Sequence, residues 1–168
     1  MSIFKTPFSS TVSSEASLSV DYWGLSPAIN DAILSLVERR LVYSVSILAN
    51  SAFLTYRLNE LIGASNRPLL GLHFNLTEGH ACANAPSNLT DKSGKFLGLS
   101  NLLRIVLAQI LKPRSSSTYW ACEAQAQMDQ IQRYKIPLDY LDGHHHVHLL
   151  PPILDAILPF IVRNNLRL

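Results

Sequence analysis

Short apolar segments alternate with longer amphipathic segments along most of the chain. Runs rich in Val, Ile, Leu and Tyr are typical of buried strands, whereas apolar residues three or four positions apart are typical of helices. The pattern predicts strands at 16–20, 41–48, 69–76, 137–141 and 166–168. It predicts helices at 27–40, 52–62, 99–111, 119–134 and 151–164. Because strands and helices alternate, we expect an α/β fold in which crossover helices connect the parallel strands of one sheet.

Local sequence signals indicate a helix start, the beginning of the domain and one long loop. Ser26 followed by Pro27 is typical of a helix start, since serine caps the first turn and proline fits the first helical position. Residues 1–15 are rich in Ser and Thr and have no periodicity, so we expect a flexible leader before a domain at 16–168. Residues 79–98 are irregular, and a loop of this length in a compact domain usually serves a function.

The composition indicates a folded protein and excludes some partners. Apolar residues make up 48% and charged residues 15% of the 168 positions, which fits one domain with a sizeable core. The net charge is +2, and scattered Lys and Arg residues argue against binding of nucleic acid. Cys82 and Cys122 form no CxxC pair and predict free thiols in a reducing compartment. Without a signal peptide or an apolar stretch of about 18 residues, we expect a cytoplasmic protein with no membrane partner.

Four of the six histidines fall within the segment 142–148, which reads DGHHHVH. Alternate side chains of an extended segment share one face. That face would carry Asp142, His144, His146 and His148. Neutral imidazoles are common ligands of zinc-like ions, so the row indicates a metal or active site. A structural role is also open for His148, and His145, on the other face, is more typical of packing.

Two further polar residues fall at the carboxyl ends of predicted strands, where parallel α/β folds carry their chemistry. Asp21 follows the first strand, and His73 lies late in the third. Taken alone, Asp21 fits a helix cap and His73 fits a core position. Ser26 already fills the capping role, however, and both residues should meet the histidine segment at one edge of the sheet. We therefore expect Asp21, His73 and the histidine row to line one site at the carboxyl edge of the sheet.

Three neighbouring residues each allow two interpretations. Asp142 can form a turn with Gly143, or it can hold an imidazole in one tautomer. Trp23 can stack on a sugar ring or fill the core. Asn75 can bind a polar substrate or shape the turn after the third strand. The pattern of residues leaves these alternatives open.

Three segments carry a more specific pattern. Residues 21–27 read DYWGLSP, residues 71–79 read GLHFNLTEG and residues 141–151 read LDGHHHVHLLP. In this order and spacing they resemble the signatures of the YdjC-like carbohydrate deacetylases, which include chitooligosaccharide deacetylases and the hopanoid-biosynthesis-associated deacetylases. The resemblance extends over residues 16–168.

The resemblance implies a deformed, TIM-like (β/α) barrel that removes acetyl groups from N-acetylated carbohydrates. It implies one divalent metal, Mg²⁺ or Zn²⁺, bound by His73 and His144, with Asp21 as the base that takes a proton from the attacking water. A small carbohydrate is then the partner, and the family is often dimeric, so we expect a homodimer. The residues left to support the ligands or contact substrate are Asp142, His146, His148, Trp23 and Asn75.

The chain departs from the family pattern at two points. The first signature normally begins with two aspartates, and the second binds metal, whereas this chain has Tyr22, a phenol that is mostly neutral at pH 7. Asp21 should not replace it, because neighbouring side chains of an extended strand point apart. A TIM-type barrel needs about 250 residues, so we expect an incomplete barrel, truncated at its C-terminus.

These departures leave three functions open. The first is a carbohydrate deacetylase of impaired activity. The second is a non-catalytic descendant that binds sugar or metal without turnover. The third is another metal hydrolase of barrel type, such as a phosphoesterase that uses a His-x-His pair.

Overall fold

The computed structural model describes residues 18–111 and 118–168. One sheet has four parallel strands, which are β1 (Leu18–Trp23), β2 (Val42–Ile47), β3 (Leu69–Phe74) and β4 (Tyr140–Gly143). The α-helices of the described ranges are α1 (Pro27–Glu38), α2 (Leu58–Gly63), α3 (Leu99–Leu111), α4 (Thr118–Arg133) and α5 (Pro151–Arg163). The predicted leader at 1–15 and the first two residues of the predicted first strand lie outside the described residues.

Each strand pairs in parallel with the next one along the chain, in the order β1-β2-β3-β4. The end of the chain continues this order, because Arg167 pairs in parallel with Tyr140 of β4. The backbone N–H of Leu141 donates to the carbonyl of Arg167 at 2.8 Å. Sequential parallel neighbours joined by helices are the arrangement of a (β/α) barrel. The predictions of an α/β fold, an incomplete barrel and the start of a fifth strand are confirmed.

The two faces of the sheet differ in character. One face contributes to a single hydrophobic core shared with the helices, through Val45, Ile47, Leu70, Leu72 and Leu141. Since side chains alternate along each strand, the other face carries small and polar residues. These are Ser44, Ser46, Gly71, His73, Tyr140 and Asp142. The second face positions the candidate site.

The helix predicted at 52–62 is wrong in its first half. Residues 52–57 form turns, and α2 begins only at Leu58. The side chains of Trp23 and Asn30 donate hydrogen bonds to three carbonyls of this segment, those of Phe53, Leu54 and Tyr56. The backbone N–H groups of Leu54, Tyr56 and Leu58 donate to carbonyls three positions earlier, so the segment forms successive turns rather than the four-residue bonds of an α-helix.

The other predicted helices agree with the structure to within two residues at either end. Ser26 caps α1 as expected, since its Oγ accepts a hydrogen bond from the backbone N–H of Ile29 at 3.2 Å. The fourth strand lies further along than predicted, at Tyr140–Gly143. None of the helices within 18–111 and 118–168 is long and apolar enough to cross a lipid bilayer.

Candidate active site

A β-bulge in β1 carries Asp21 and Tyr22 to the polar face. Between Val20 and Trp23, β1 has one residue more than the part of β2 with which it pairs. Tyr22 has a φ of 76°, in the left-handed region, and bulges of this kind redirect side chains. As a result, a carboxylate oxygen of Asp21 lies within 4.8 Å of a ring nitrogen of His73.

The ring of Tyr22 also reaches this place, with its centroid 5.3 Å from that of His73. The prediction that Asp21 follows the first strand is wrong, because β1 extends to Trp23 and includes Asp21. The expectation that Asp21 and Tyr22 point apart is wrong, because the bulge interrupts the alternation of side chains.

Two imidazoles face each other beside this bulge. Nδ1 of His144 lies 3.3 Å from Nε2 of His73, and both side chains are buried. On its outer side, His73 Nδ1 lies 2.8 Å from Oδ1 of Asp142, its neighbour in β4. The outer nitrogen of His144, Nε2, lies 3.5 Å from Oε1 of Glu78. Each imidazole thus has a carboxylate behind it and presents its other nitrogen to its partner.

This arrangement fits two imidazoles that bind one divalent cation. Two nitrogens on one tetrahedral zinc ion, each at about 2.0–2.1 Å, are about 3.3 Å apart. A histidine that binds a metal usually donates its other N–H to a carboxylate or carbonyl. Asp142 occupies that position for His73, whereas Glu78 lies near Nε2 of His144 without forming a hydrogen bond to it. Burial lowers the pKa of His144, and the nearby imidazoles of His145 and His73 lower it further, which favours the neutral form that binds metal.

The described residues contain two groups of three side chains whose ligand atoms lie within 4.8 Å of one another. They are Asp21, His73 and Asp142, and Glu78, His144 and His145. Since His73 and His144 face each other, the two groups adjoin and form a single polar cluster at the carboxyl ends of the strands.

Ser46 and Tyr140 support Asp142, and neither was predicted as a site residue. Ser46 Oγ donates to Oδ2 of Asp142 at 2.7 Å and lies 2.8 Å from the hydroxyl of Tyr140. Since the hydrogen of Ser46 goes to Asp142, Tyr140 donates to Ser46. Burial raises the pKa of Tyr140 to about 12, so its hydroxyl keeps the proton that it donates. Side chains alternate along β2, and this alternation places Ser46 on the polar face of an otherwise apolar strand. That signal could have identified Ser46 from the sequence.

Gly71 allows this support to form. The ring of Tyr140 crosses directly over Gly71, its neighbour in β3. A Cβ at position 71 would lie 2.2 Å from the ring of Tyr140. Only glycine therefore lets the ring lie against the sheet and reach Ser46.

The predicted extended row of histidines is wrong. The segment His144–Leu149 is a 3₁₀ turn in which His145 and His146 have φ of 53° and 54°. Two consecutive left-handed residues reverse the backbone, and the reversal buries Val147 completely. His144 is buried, whereas His146, two positions further on, is exposed.

The other histidines of the segment take different roles. His145 was predicted to pack, but it is exposed and its Nδ1 lies 3.1 Å from Oγ1 of Thr77. His148 is buried, and burial lowers its pKa. A Cβ at Gly143 would lie 2.3 Å from Nδ1 of His148, so the glycine makes room for this ring. The packing of His148 corresponds to the structural role that the sequence left open for it. His146 is exposed and belongs to neither group of candidate ligands.

Trp23 and Asn75 also have structural roles, which is one of the two interpretations that the sequence allowed for each. Trp23 is fully buried and its Nε1 donates to the carbonyl of Leu54 at 2.9 Å, so it offers no surface to a sugar ring. Asn75 is buried, and its Oδ1 accepts from the backbone N–H groups of Thr77 and Glu78 at 3.0 and 3.1 Å. Asn75 therefore shapes the turn that presents Glu78 to His144.

A match to a family model shows the family of this chain. Residues 17–168 match the model of the YdjC-like proteins. The chain belongs to this family. The prediction made from the three signature segments is thereby confirmed.

Relatives in the YdjC-like family carry enzyme names. A carbohydrate deacetylase of Oceanobacillus iheyensis is 26% identical, over 84% of this chain and 58% of its own length. A chitooligosaccharide deacetylase of Yersinia pestis is 27% identical, over 90% of this chain and 57% of its own length. The chain thus spans less than two thirds of the length of these relatives.

A solved structure supports the fold of this YdjC-like chain. The crystal structure of an Enterococcus faecalis V583 protein, provisionally described as a cellobiose-phosphate cleavage protein, matches with a TM-score of 0.68. The two chains are 21% identical, and the match covers 90% of this chain and 58% of the other. At this identity the likeness concerns the fold alone.

Proposed function

We propose that this YdjC-like protein is a metal-dependent deacetylase of N-acetylated carbohydrates, with chitooligosaccharides as the substrate class. The observation that carries the proposal is the 3.3 Å separation between Nε2 of His73 and Nδ1 of His144, with Asp21 in the same cluster. The names of the relatives in Oceanobacillus iheyensis and Yersinia pestis support the substrate class. The homodimer implied by the resemblance stays a prediction.

In this proposal His73 and His144 hold the cation. When bound, the cation supplies a Lewis acid that polarises an acetyl carbonyl and a water molecule. Imidazole ligands suit Zn²⁺ better than Mg²⁺, which favours oxygen ligands. Asp142 accepts the Nδ1–H of His73, so the Nε2 lone pair of that ring faces His144.

Asp21 has the role of general base. Its carboxylate lies beside His73 at the polar edge of the sheet, and a positioned carboxylate of this kind can take a proton from water. The water oxygen forms a bond to the acetyl carbon, and the amide C–N bond breaks. The proton taken by Asp21 passes to the leaving nitrogen. The products are acetate and a free amine on the sugar.

The position of Tyr22 favours a second candidate, a protein that binds sugar or metal without turnover. The ring of Tyr22 lies 5.3 Å from the ring of His73 and 5.4 Å from that of His144. A phenol therefore lies where the resemblance implies a carboxylate ligand. Two neutral imidazoles without that anion bind a cation less tightly.

Acetate release from N,N′-diacetylchitobiose tests the proposal, measured with Zn²⁺ or Mg²⁺ added and again with a chelator. We expect metal-dependent release, and a loss of about 10²-fold or more in Asp21→Asn, because general-base catalysis contributes about 10²–10⁴-fold. Asp155→Asn, at an exposed position of α5, is the matched control and should keep native activity.

The opposite results have distinct meanings. Sugar binding without acetate release at any metal concentration would replace the deacetylase with the non-catalytic candidate. Release of phosphate from phosphoesters, without acetate release, would indicate the phosphoesterase.

A further inference from the structure

A cavity of about 250 Å³ opens at the carboxyl ends of β1, β2 and β3. Its walls include Leu25 from the turn after β1, Phe53 from the loop after β2, and Glu78 from the turn after β3. Sites for drug-sized ligands in proteins occupy about 300–1,000 Å³. The volume of this cavity therefore suits one small ring rather than an extended ligand.

The walls of the cavity carry exposed apolar side chains beside one carboxylate. Leu25 and Phe53 are 46% and 42% exposed, so both offer apolar surface to a ligand. Glu78 is also exposed, and among the described residues no lysine or arginine forms an ion pair with it. An exposed aromatic surface beside an exposed hydrogen-bond acceptor is complementary to a pyranose ring, which has an apolar C–H face and a rim of hydroxyl groups.

The loop that carries Phe53 is held in place before any ligand binds. Nδ2 of Asn30, a fully buried side chain, donates to the carbonyls of Phe53 and Tyr56 at 3.2 and 3.0 Å. Nδ2 of Asn50 donates to the carbonyl of Glu78 at 2.8 Å, which joins the walls after β2 and β3. A preorganised site loses less conformational freedom when it binds a ligand.

Glu78 connects the cavity to the imidazole pair. Its Oε1 lies 3.5 Å from Nε2 of His144, so the wall of the cavity that Glu78 forms adjoins the proposed reaction centre. We propose that this cavity binds one sugar ring of the substrate, with Phe53 as the stacking surface and Glu78 as the acceptor for a hydroxyl group. This inference rests on the proposed function and names the sugar subsite of the same site.

Calorimetric binding of N,N′-diacetylchitobiose to the zinc-loaded chain tests this subsite. We expect Phe53→Ala to weaken binding by about tenfold, the effect of removing an aromatic stacking partner. Phe53→Tyr should bind as the native chain does, because it keeps the ring. Tyr56→Ala is the matched control, since Tyr56 is a 40% exposed aromatic residue of the same loop that does not line the cavity.

A second variant guards against a folding defect in Phe53→Ala. Leu25→Ala removes another apolar side chain that lines the cavity and should weaken sugar binding by about threefold, while zinc binding in both variants stays native. Binding of the sugar by Phe53→Ala and Leu25→Ala within twofold of the native chain would overturn the subsite. So would a native chain that binds no sugar.

The experiment separates the subsite from the deacetylase. A native chain that binds the sugar through Phe53 but releases no acetate supports the subsite and contradicts the proposed function. Acetate release with the same KM in the native chain and in Phe53→Ala would support the proposed function and contradict the subsite.

Discussion

Tyr22 adopts a backbone conformation that is rare for residues other than glycine. Its φ of 76° belongs to the left-handed region, where a residue with a bulky side chain is strained by about 1–3 kcal/mol. Such strain persists where the surrounding structure imposes it, and here the pairing of β1 with β2 on both sides of the bulge does so. The consequence is chemical, because the bulge directs whichever side chain occupies position 22 toward His73 and His144.

We therefore expect Tyr22→Asp to bind Zn²⁺ about tenfold or more tightly than the native chain. The substitution would add a negative ligand beside two neutral imidazoles, which completes a common ligand set for zinc. Competition with a chromophoric chelator measures the affinity. Tyr43→Asp, at an exposed position of β2, is the control and should leave it unchanged. An affinity of Tyr22→Asp equal to the native value would show that position 22 does not face the cation.

At the level of elements, α4 connects the long loop at 79–98 to the end of β3. Glu123 is fully buried, and its carboxylate accepts hydrogen bonds from the backbone N–H groups of Cys82 and Ala83 at 2.9 and 2.7 Å. One turn further along, Gln127 donates to Glu123 at 2.8 Å and bonds both the N–H and the carbonyl of Asn75. Two side chains of one helix thus fix the loop and the turn that presents Glu78.

Glu123→Ala should lower the free energy of unfolding by roughly 3 kcal/mol, because two partly buried backbone donors and the buried amide of Gln127 would lose their acceptor at once. The loop at 79–98 should also become sensitive to protease, since its two bonds to the carboxylate disappear. Urea unfolding and limited proteolysis measure the two effects. Gln132→Ala, at an exposed position of α4, is the control. Native stability and native protease resistance in Glu123→Ala would contradict this role.

The elements also show which parts of the structure were predictable. Amphipathic spacing located α1, α3, α4 and α5, because each of these helices buries one face of a locally periodic sequence. The turns at 52–57 were not predictable in this way. Their carbonyls bond to Trp23 and Asn30, which lie more than 20 positions away in the sequence.

The same limit applies to the candidate site. The convergence of Asp21, His73 and His144 was predictable, because the ends of parallel strands share one edge of a sheet. The hydrogen bond from Ser46 to Asp142 was not, since alternation fixes only the face on which each side chain lies and not that Ser46 of β2 reaches across β3 to β4. The 3₁₀ turn at His144–Leu149 replaced the extended row because period-two alternation holds only where the backbone stays extended.

For the molecule as a whole, the proposed cation would connect distant parts of the chain. His73 lies in β3 and His144 follows β4, 71 positions later, so the two nitrogens meet only in the folded state. A ligand that binds the folded state and not the unfolded state raises stability by mass action. Cation binding should therefore be measurable as stability, independently of any activity.

We expect Zn²⁺ at about 100 times its Kd to stabilise the native chain by about 2.7 kcal/mol. For a chain of this size, that is a rise in Tm of roughly 5–10 °C, which a chelator should reverse. Differential scanning fluorimetry measures the shift. His73→Asn and His144→Asn should lose it, because each removes one of the two facing nitrogens. His80→Asn, at an exposed position, should keep it. A zinc-induced shift that survives in both His73→Asn and His144→Asn would place the cation elsewhere on the molecule, and with it the reaction assigned to this end of the sheet.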